Sequence, residues 1–306
     1  MIKNKIFYIL KPLIPRKIQL YIRRKLILKK RELYKDIWPI DYKSSKHPQN
    51  WTGWPDNKKF AIVLTHDVES ETGHQRCMQL MNIEKSLGFR SAFNFVPERY
   101  NVSMDLIRDL KNNGFEVGVH GLNHDGKLYA SQAIFNERAM KINQYIKAWD
   151  AVGFRSPAMH HNFDWIHKLD IEYDCSSFDT DPFEPQPDGV ATIFPFWING
   201  NGTNKGYVEL PYTLPQDHSL YILMKENNIA IWRKKTEWIA SNGGMVLLNT
   251  HPDYINFTDK NNGLEEYAID YYVQFLKYIK NEYSENYWNA LPREIAEFWK
   301  SGMLRN

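Results

Sequence analysis

Cysteine is scarce in this chain of 306 residues, which holds only Cys77 and Cys175. Two such residues, neither in a CxxC nor beside a histidine cluster, exclude a disulfide scaffold and fit a reducing compartment. Both thiols are read as inert. Long apolar runs are lacking as well. No segment approaches the roughly 20 apolar residues that a membrane span requires. The best apolar stretch of the N-terminal region, residues 6–10, stops at Lys11 and Pro12. A secretory signal core needs roughly 7–15 such residues. A cytoplasmic location is expected on these grounds. Internal repeats and low-complexity tracts are absent from the sequence.

Acidic residues are nearly missing from residues 1–35, where Glu32 stands against twelve Lys and Arg, a balance of +11. The remainder holds 27 basic and 35 acidic residues, a balance of −8, so the net charge of +3 hides a basic arm on an acidic body. Apolar residues such as Ile18, Leu20, Ile22, Leu26 and Leu28 interleave with the arm's charges. A basic amphipathic arm suits an anionic membrane surface at the inner face, at about 1 kcal/mol per basic residue near the lipid. The alternative is a solvated or self-packed pair of helices. Nucleic acid is not an expected partner, because no recognised nucleic-acid module accompanies the basic stretch.

What is abundant is aromatic: 14% of the residues are Phe, Trp or Tyr. They serve a large core, or in part a sugar cleft in which ring faces stack on pyranose C–H faces. Trp197 and Tyr212 are candidates for the latter. Residues 36–58 read as a connector, rich in turn formers, whose tryptophans pack against the body. From residue 59 to 306 short apolar runs alternate with amphipathic segments. Strands are expected at 60–65, 91–96, 115–120, 154–157, 171–178, 207–210 and 245–249. Helices are expected at 75–87, 104–112, 131–151, 229–241, 264–283 and 292–300. Residues 182–216 read as irregular apart from the strand at 207–210. Repeated strand–helix units favour a parallel α/β sheet, open or closed into a barrel, with chemistry at the carboxyl ends of the strands.

Asp67, His120, Arg155 and His251 all fall at those ends. Asp67 and Glu69 are two apart on extended backbone, so both side chains face one way while Val68 turns inward. His120 and His124 follow the third strand. Two imidazoles and one carboxylate form a common three-ligand catalytic metal set that leaves a position open for water. The second carboxylate is then available as a base. The competing reading has Glu69 capping the following helix and Asp67 paired with Arg155. Alternation points His66 away from Asp67, into packing. His160 and His161 lie on a loop within possible reach of substrate.

The residues from Thr65 to Glu69, His120-Gly121-Leu122-Asn123-His124, Phe154-Arg155-Ser156-Pro157, Phe178-Asp179-Thr180-Asp181 and Leu247-Leu248-Asn249-Thr250-His251 resemble, in order, the five motifs of the NodB-like polysaccharide deacetylases, carbohydrate esterase family 4. The likeness covers roughly residues 59–255. It implies a distorted (β/α) barrel, a divalent metal, usually zinc, and removal of an N-acetyl group from an acetamido-sugar glycan. The sequence departs from the family in the first motif, where Val68 stands in place of the usual aspartate ligand. The Asp67-Val68-Glu69 triplet looks like the family's Asp-x-Asp variant with glutamate as the ligand. By resemblance Glu69, His120 and His124 hold the metal, although Asp67 remains an alternative ligand. By the same resemblance Asp67 is the general base and His251 the general acid. Arg155 orients Asp67, and Asp181 holds His251, with Asp179 as its nearest rival.

Overall fold

The computed structural model describes residues 14–200, 205–258 and 260–303. The first thirteen residues of the arm, with the basic and apolar positions expected there, lie outside the described residues. The strands in chain order are β1 (Phe60–Val68), β2 (Ala92–Phe95), β3 (Glu116–His120), β4 (Gly153–Arg155), β5 (Tyr173–Asp174), β6 (Phe196–Ile198), β7 (Tyr207–Glu209), β8 (Met245–Thr250), β9 (Ile255–Asn256), β10 (Tyr267–Ala268) and β11 (Tyr287–Asn289). The helices are α1 (Arg16–Leu33), α2 (Glu71–Leu87), α3 (Met104–Asn112), α4 (Gln132–Ala148), α5 (Phe163–Ile166), α6 (Ala230–Ser241), α7 (Ile269–Tyr283) and α8 (Pro292–Met303).

Strand β1 is buried along its whole length, because neighbours cover both its faces and both its edges. It pairs in parallel with β8 on one side, and with β11 and then β2 on the other. From β2 the parallel pairing runs through β3, β4 and β5 to β7. The segment after β7 then turns back to β8: the backbone N–H groups of Thr213 and Leu214 both donate to the carbonyl of Leu247. These bonds bring the two ends of the curled sheet together, so the architecture is the expected distorted (β/α) barrel. Among the described residues only β6 is antiparallel, laid against β7 at the rim.

Local chemistry sets the helix boundaries. Ser131 and Ser103 accept from the N–H groups of Ile134 and Leu106, capping α4 and α3. Gly88 ends α2 in a left-handed conformation, φ 83°. The expected helix over 264–283 starts only at Ile269, because Tyr267 and Ala268 pair with β9. The expected strand over 171–178 narrows to Tyr173–Asp174, and a π-helical turn over His218–Met224 follows the region read as irregular.

The connector is packed. Trp38 lies edge-on to Phe183, and Trp51 and Trp54 join Trp288, Phe298 and Trp299 in one aromatic cluster. Helix α1 also lies on the body, with Leu20 and Ile27 buried. Its Arg24 Nε donates to the carbonyl of Ile222 at 2.9 Å, and Lys30 Nζ to that of Pro182 at 3.2 Å.

Candidate active site

The barrel places its polar side chains by register. Asp67 lies opposite Asn94 in the β1–β2 ladder, and His120 opposite Arg155 in the β3–β4 ladder. Asn94 Nδ2 donates to Asp67 Oδ1 at 3.0 Å, and Asn249 Nδ2, from β8, to Asp67 Oδ2 at 2.8 Å. Arg155 is fully buried. Its Nε donates to the carbonyl of Cys175, and its Nη1 to Thr65 Oγ1 at 2.8 Å and Asp67 Oδ1 at 3.3 Å. Burial favours the neutral acid at Asp67, but Arg155, with His120, His251 and the Asn94 hydrogen bond, brings the carboxyl down to about 2.

Glu69 follows the end of β1, and both its oxygens are addressed. Oε2 accepts from Tyr254 Oη at 3.0 Å, and Oε1 lies 2.9 Å from His124 Nε2. It does not cap α2. That end is served from across the site by Asp253, which accepts from the Glu69 N–H and the Ser70 hydroxyl. Burial would raise the Glu69 carboxyl, yet His124, His251 and His120 hold it well below the carboxylate range.

His120 donates its Nδ1–H to the carbonyl of Arg155 at 3.1 Å. This assignment follows from the partner, since a carbonyl only accepts. Burial brings the ring down to about 4, so it is neutral at pH 7 and Nε2 carries a bare lone pair. That Nε2 is buried with no hydrogen-bond partner, and so is Nε2 of His124, which lies out of line for a bond to Glu69. The loop between the two histidines depends on Gly121, at φ +63°: a Cβ there would stand 2.4 Å from Pro157 Cγ. His124 itself sits at φ 52°, an uncommon conformation for a side-chain-bearing residue.

One ligand atom from each of Glu69, His120 and His124 lies within 4.8 Å of the others. Two imidazole nitrogens without a hydrogen-bond partner and one carboxylate are a donor set suited to a divalent metal of zinc's type. Asp67 stays outside this group, with Oδ2 at 3.9 Å from His120 Nε2.

His251, just beyond β8, points Nε2 toward the same centre, 4.0 Å from Glu69 Oε1. Its Nδ1 lies 2.7 Å from Asp217 Oδ1. Asp217 also accepts from the His251 N–H at 2.8 Å and from Tyr267 Oη at 3.0 Å. Burial opposes charge on His251, but the carboxylates of Asp217, Glu69 and Asp67 push the ring up to about 10. The partner of His251 is therefore Asp217, and the expectation for Asp181 is corrected. Asp181 accepts from the Phe183 N–H and from Tyr212 Oη, and Asp179 pairs with Lys235. The turn before Pro182 carries both aspartates away from His251. Asp217 escaped the sequence reading, although Gln216-Asp217-His218 is a polar triplet between the apolar Leu214 and Leu220.

The remaining candidates separate. His66 turns outward, bonded to Thr250 Oγ1 and Glu84 Oε1 and buried, as alternation requires. Tyr212 is buried and shows no ring face to the cleft. Trp197 lines a different cavity, of about 690 Å³, with Trp51 and Trp299. His160 lines a small pocket beside His124 and Tyr129, and His161 is buried against the carbonyl of Met159.

No protein-family model matches the sequence, and no curated protein does. Solved structures match the fold. A protein assigned as a polysaccharide deacetylase from Mycobacterium smegmatis has a TM-score of 0.65 and 18% identity, over 84% of this chain and 96% of that one. The allantoinase Puue has a TM-score of 0.64 and 15% identity, over 86% and 98%. A protein assigned as a polysaccharide deacetylase from Pseudomonas aeruginosa PAO1 has a TM-score of 0.63 and 14% identity, over 86% and 98%. At these identities the likeness establishes the fold, which is that of the NodB-type deacetylase barrel.

Proposed function

We propose that this protein is a metal-dependent hydrolase that removes the N-acetyl group from an acetamido sugar of a glycan or glycan precursor. The observation that carries this reading is the pair of buried, unpartnered Nε2 atoms of His120 and His124 converging with Glu69. Those three residues would hold a divalent metal, most simply zinc. When bound, such an ion supplies Lewis acidity toward the acyl oxygen and makes water more acidic.

The rest is the work of the chain. Water adds to the acetyl carbon and gives its proton to Asp67, which Arg155, Asn94 and Asn249 keep ionised and aimed. His251, a cation at neutral pH with Nδ1 on Asp217, gives its Nε2 proton to the amine nitrogen as the C–N bond breaks. The products are acetate and the free amino sugar. Two of the similar structures carry the name polysaccharide deacetylase, in accord with this chemistry. The similar score of the allantoinase supports a second reading, C–N hydrolysis of a small non-sugar amide, at the same site.

We place the reaction in the cytoplasm, at the inner face of the membrane. No helix of the described residues is long and apolar enough to cross a membrane. Helix α1, however, turns Ile18, Tyr21, Ile22, Leu26, Leu28 and Leu33 outward, each 40–70% exposed, with Lys25 and Lys29 among them. Apolar side chains interspersed with lysines match an anionic lipid surface.

The test is acetate release from N-acetylated sugar oligomers by zinc-loaded protein. Release that stops with chelator and returns with zinc supports the proposal. Hydrolysis of small ureido or amide compounds without release from any sugar would favour the second reading.

A further inference from the structure

The cleft that opens onto Glu69, His120, His124 and His251 has a volume of about 570 Å³, and the carboxyl of Glu184 lines it as well. Glu184 belongs to the stretch read as irregular from the sequence, yet its surroundings are pinned. The Phe183 N–H donates to Asp181 Oδ1 at 3.0 Å, the Phe183 ring stands edge-on to Trp38, and Lys30 of α1 donates to the carbonyl of Pro182. The side chain is held too. Glu184 Oε1 lies 2.7 Å from Gln216 Nε2 and 2.9 Å from Tyr212 Oη. Gln216 Oε1 accepts from Asn249 Nδ2 at 3.1 Å, and the same Asn249 nitrogen donates to Asp67 Oδ2. Gln216 and Asn249 thus tie Glu184 to the proposed base.

The count of protons decides which way these bonds run. Tyr212 Oη lies 2.9 Å from Asp181 Oδ2 and 2.9 Å from Glu184 Oε1, but a phenolic hydroxyl carries a single hydrogen. It donates to one carboxyl and accepts from the other. The charges of Lys235 and Lys30 favour the anion at Asp181, so Tyr212 donates there. Glu184 then carries a proton on Oε1, which donates to Tyr212 and accepts from Gln216. Burial and the charge of Asp181 outweigh the pull of His251 and push the Glu184 carboxyl up to about 8, so the proton is largely kept at pH 7.

Glu184 Oε2 takes no part in these bonds. In the neutral acid it is the carbonyl oxygen, with lone pairs and no hydrogen, which suits it to accept from a hydroxyl rather than to pair with a cation. The cavity volume falls within the roughly 300–1,000 Å³ of small-molecule sites, in which a few placed polar groups fix a ligand's orientation. We propose that Glu184 is a substrate-binding residue whose Oε2 accepts a hydrogen bond from a hydroxyl of the acetamido sugar, and that Gln216 and Asn249 hold this anchor in register with Asp67. This rests on the deacetylase reading for the sugar and adds the residue that orients the ring.

The experiment uses the full chain, freed of metal by chelation so that no sugar is consumed. Calorimetric titration compares N-acetylglucosamine with its 3-deoxy, 4-deoxy and 6-deoxy analogues at pH 7. One of the analogues is expected to bind about five- to tenfold more weakly than the parent sugar, the worth of one uncharged hydrogen bond. Glu184→Ala is expected to weaken the parent sugar by a similar factor and to leave the affinity for that one analogue in place. A role in folding alone would weaken every sugar alike. Thermal melting checks folding. If Glu184→Ala fails to fold, Glu184→Gln takes its place: its amide keeps an oxygen on Gln216 and turns an N–H donor into the cleft. The loss it causes is expected to vanish with the same analogue. A loss equal for all the sugars, no loss in the variant, or a parent sugar that does not bind overturns the proposal.

Acetate release by the zinc-loaded protein separates the two claims. Coupling between Glu184 and one sugar hydroxyl without acetate release would leave this anchor standing and remove the deacetylase reading. Acetate release with no such coupling would do the reverse.

Discussion

The imidazole of His120 gives its Nδ1–H to the backbone carbonyl of Arg155, 3.1 Å away, while the guanidinium of the same Arg155 holds Asp67. One residue thus orients the proposed ligand with its main chain and the proposed base with its side chain. The bond fixes the His120 tautomer and leaves Nε2 as an acceptor with nothing to accept. Nitrogen-15 spectra of the metal-free protein at pH 7 should show His120 protonated at Nδ1 only. Its Nε2 resonance should move on adding zinc. A ring protonated at Nε2, or one that ignores zinc, would contradict the ligand assignment.

Asp217 and Asp181 make a matched pair of tests. Asp217→Asn removes the carboxylate that keeps His251 charged, so the alkaline limb of the rate profile should move to lower pH. We expect kcat to fall by about 10²–10⁴ with a smaller change in KM. Asp181→Asn should leave that limb where it is, because Asp181 bonds Tyr212 and Phe183 instead.

The same pair carries a stability signature in the metal-free protein. The folded-state value of His251, about 10, lies above the ordinary 6.5. Its contribution is therefore full below about pH 6.5 and lost as pH rises toward 10. The destabilisation by Asp217→Asn should shrink over that window when melting temperatures are compared. A penalty that stays constant from pH 6 to 10 would argue that Asp217 acts by packing alone.

Gly121→Ala should be costly. The new Cβ would press on Pro157 Cγ at 2.4 Å in a left-handed backbone position. A loss of about 1–3 kcal/mol is expected from urea unfolding. Zinc affinity should weaken with it, since this loop sets the spacing of His120 and His124.

The outward face of α1 should bind vesicles with anionic headgroups and release them at high salt. Leu26→Glu and Ile22→Glu place like charge against the lipid and should each reduce co-sedimentation severalfold. Binding that is unchanged in both variants would remove the membrane from the account.

Much of the fold was legible because the long strands end in chemistry. In β1, β3 and β8 an apolar run closes on Asp67, His120 or Thr250-His251, and each such run is a strand in the structure. Asp67 and Glu69 were legible as a same-face pair, two apart on extended backbone, whereas the grouping of Glu69 with His120 and His124 came from the likeness to the deacetylase motifs. Among the short elements β4, β5 and β7 overlap expected strands, whereas β6 and β11, three residues long, exist through their neighbours and leave little periodicity to read. Asp217 was hidden because its role comes from the π-helical turn beginning at His218, which presents it to His251. Helix α1 read as a separate arm because its charges dominate its composition. Its contacts to Ile222, Pro182 and Glu265 join residues far apart in sequence.

The central claim is that Glu69, rather than the usual aspartate one residue earlier, completes a metal centre with His120 and His124. Metal analysis of the purified protein beside Glu69→Ala tests it most directly. We predict one zinc per chain in the parent protein, and little or none, with no acetate release, in the variant. A parent protein that releases acetate while free of metal, or a Glu69→Ala variant that keeps its full zinc, would contradict the account.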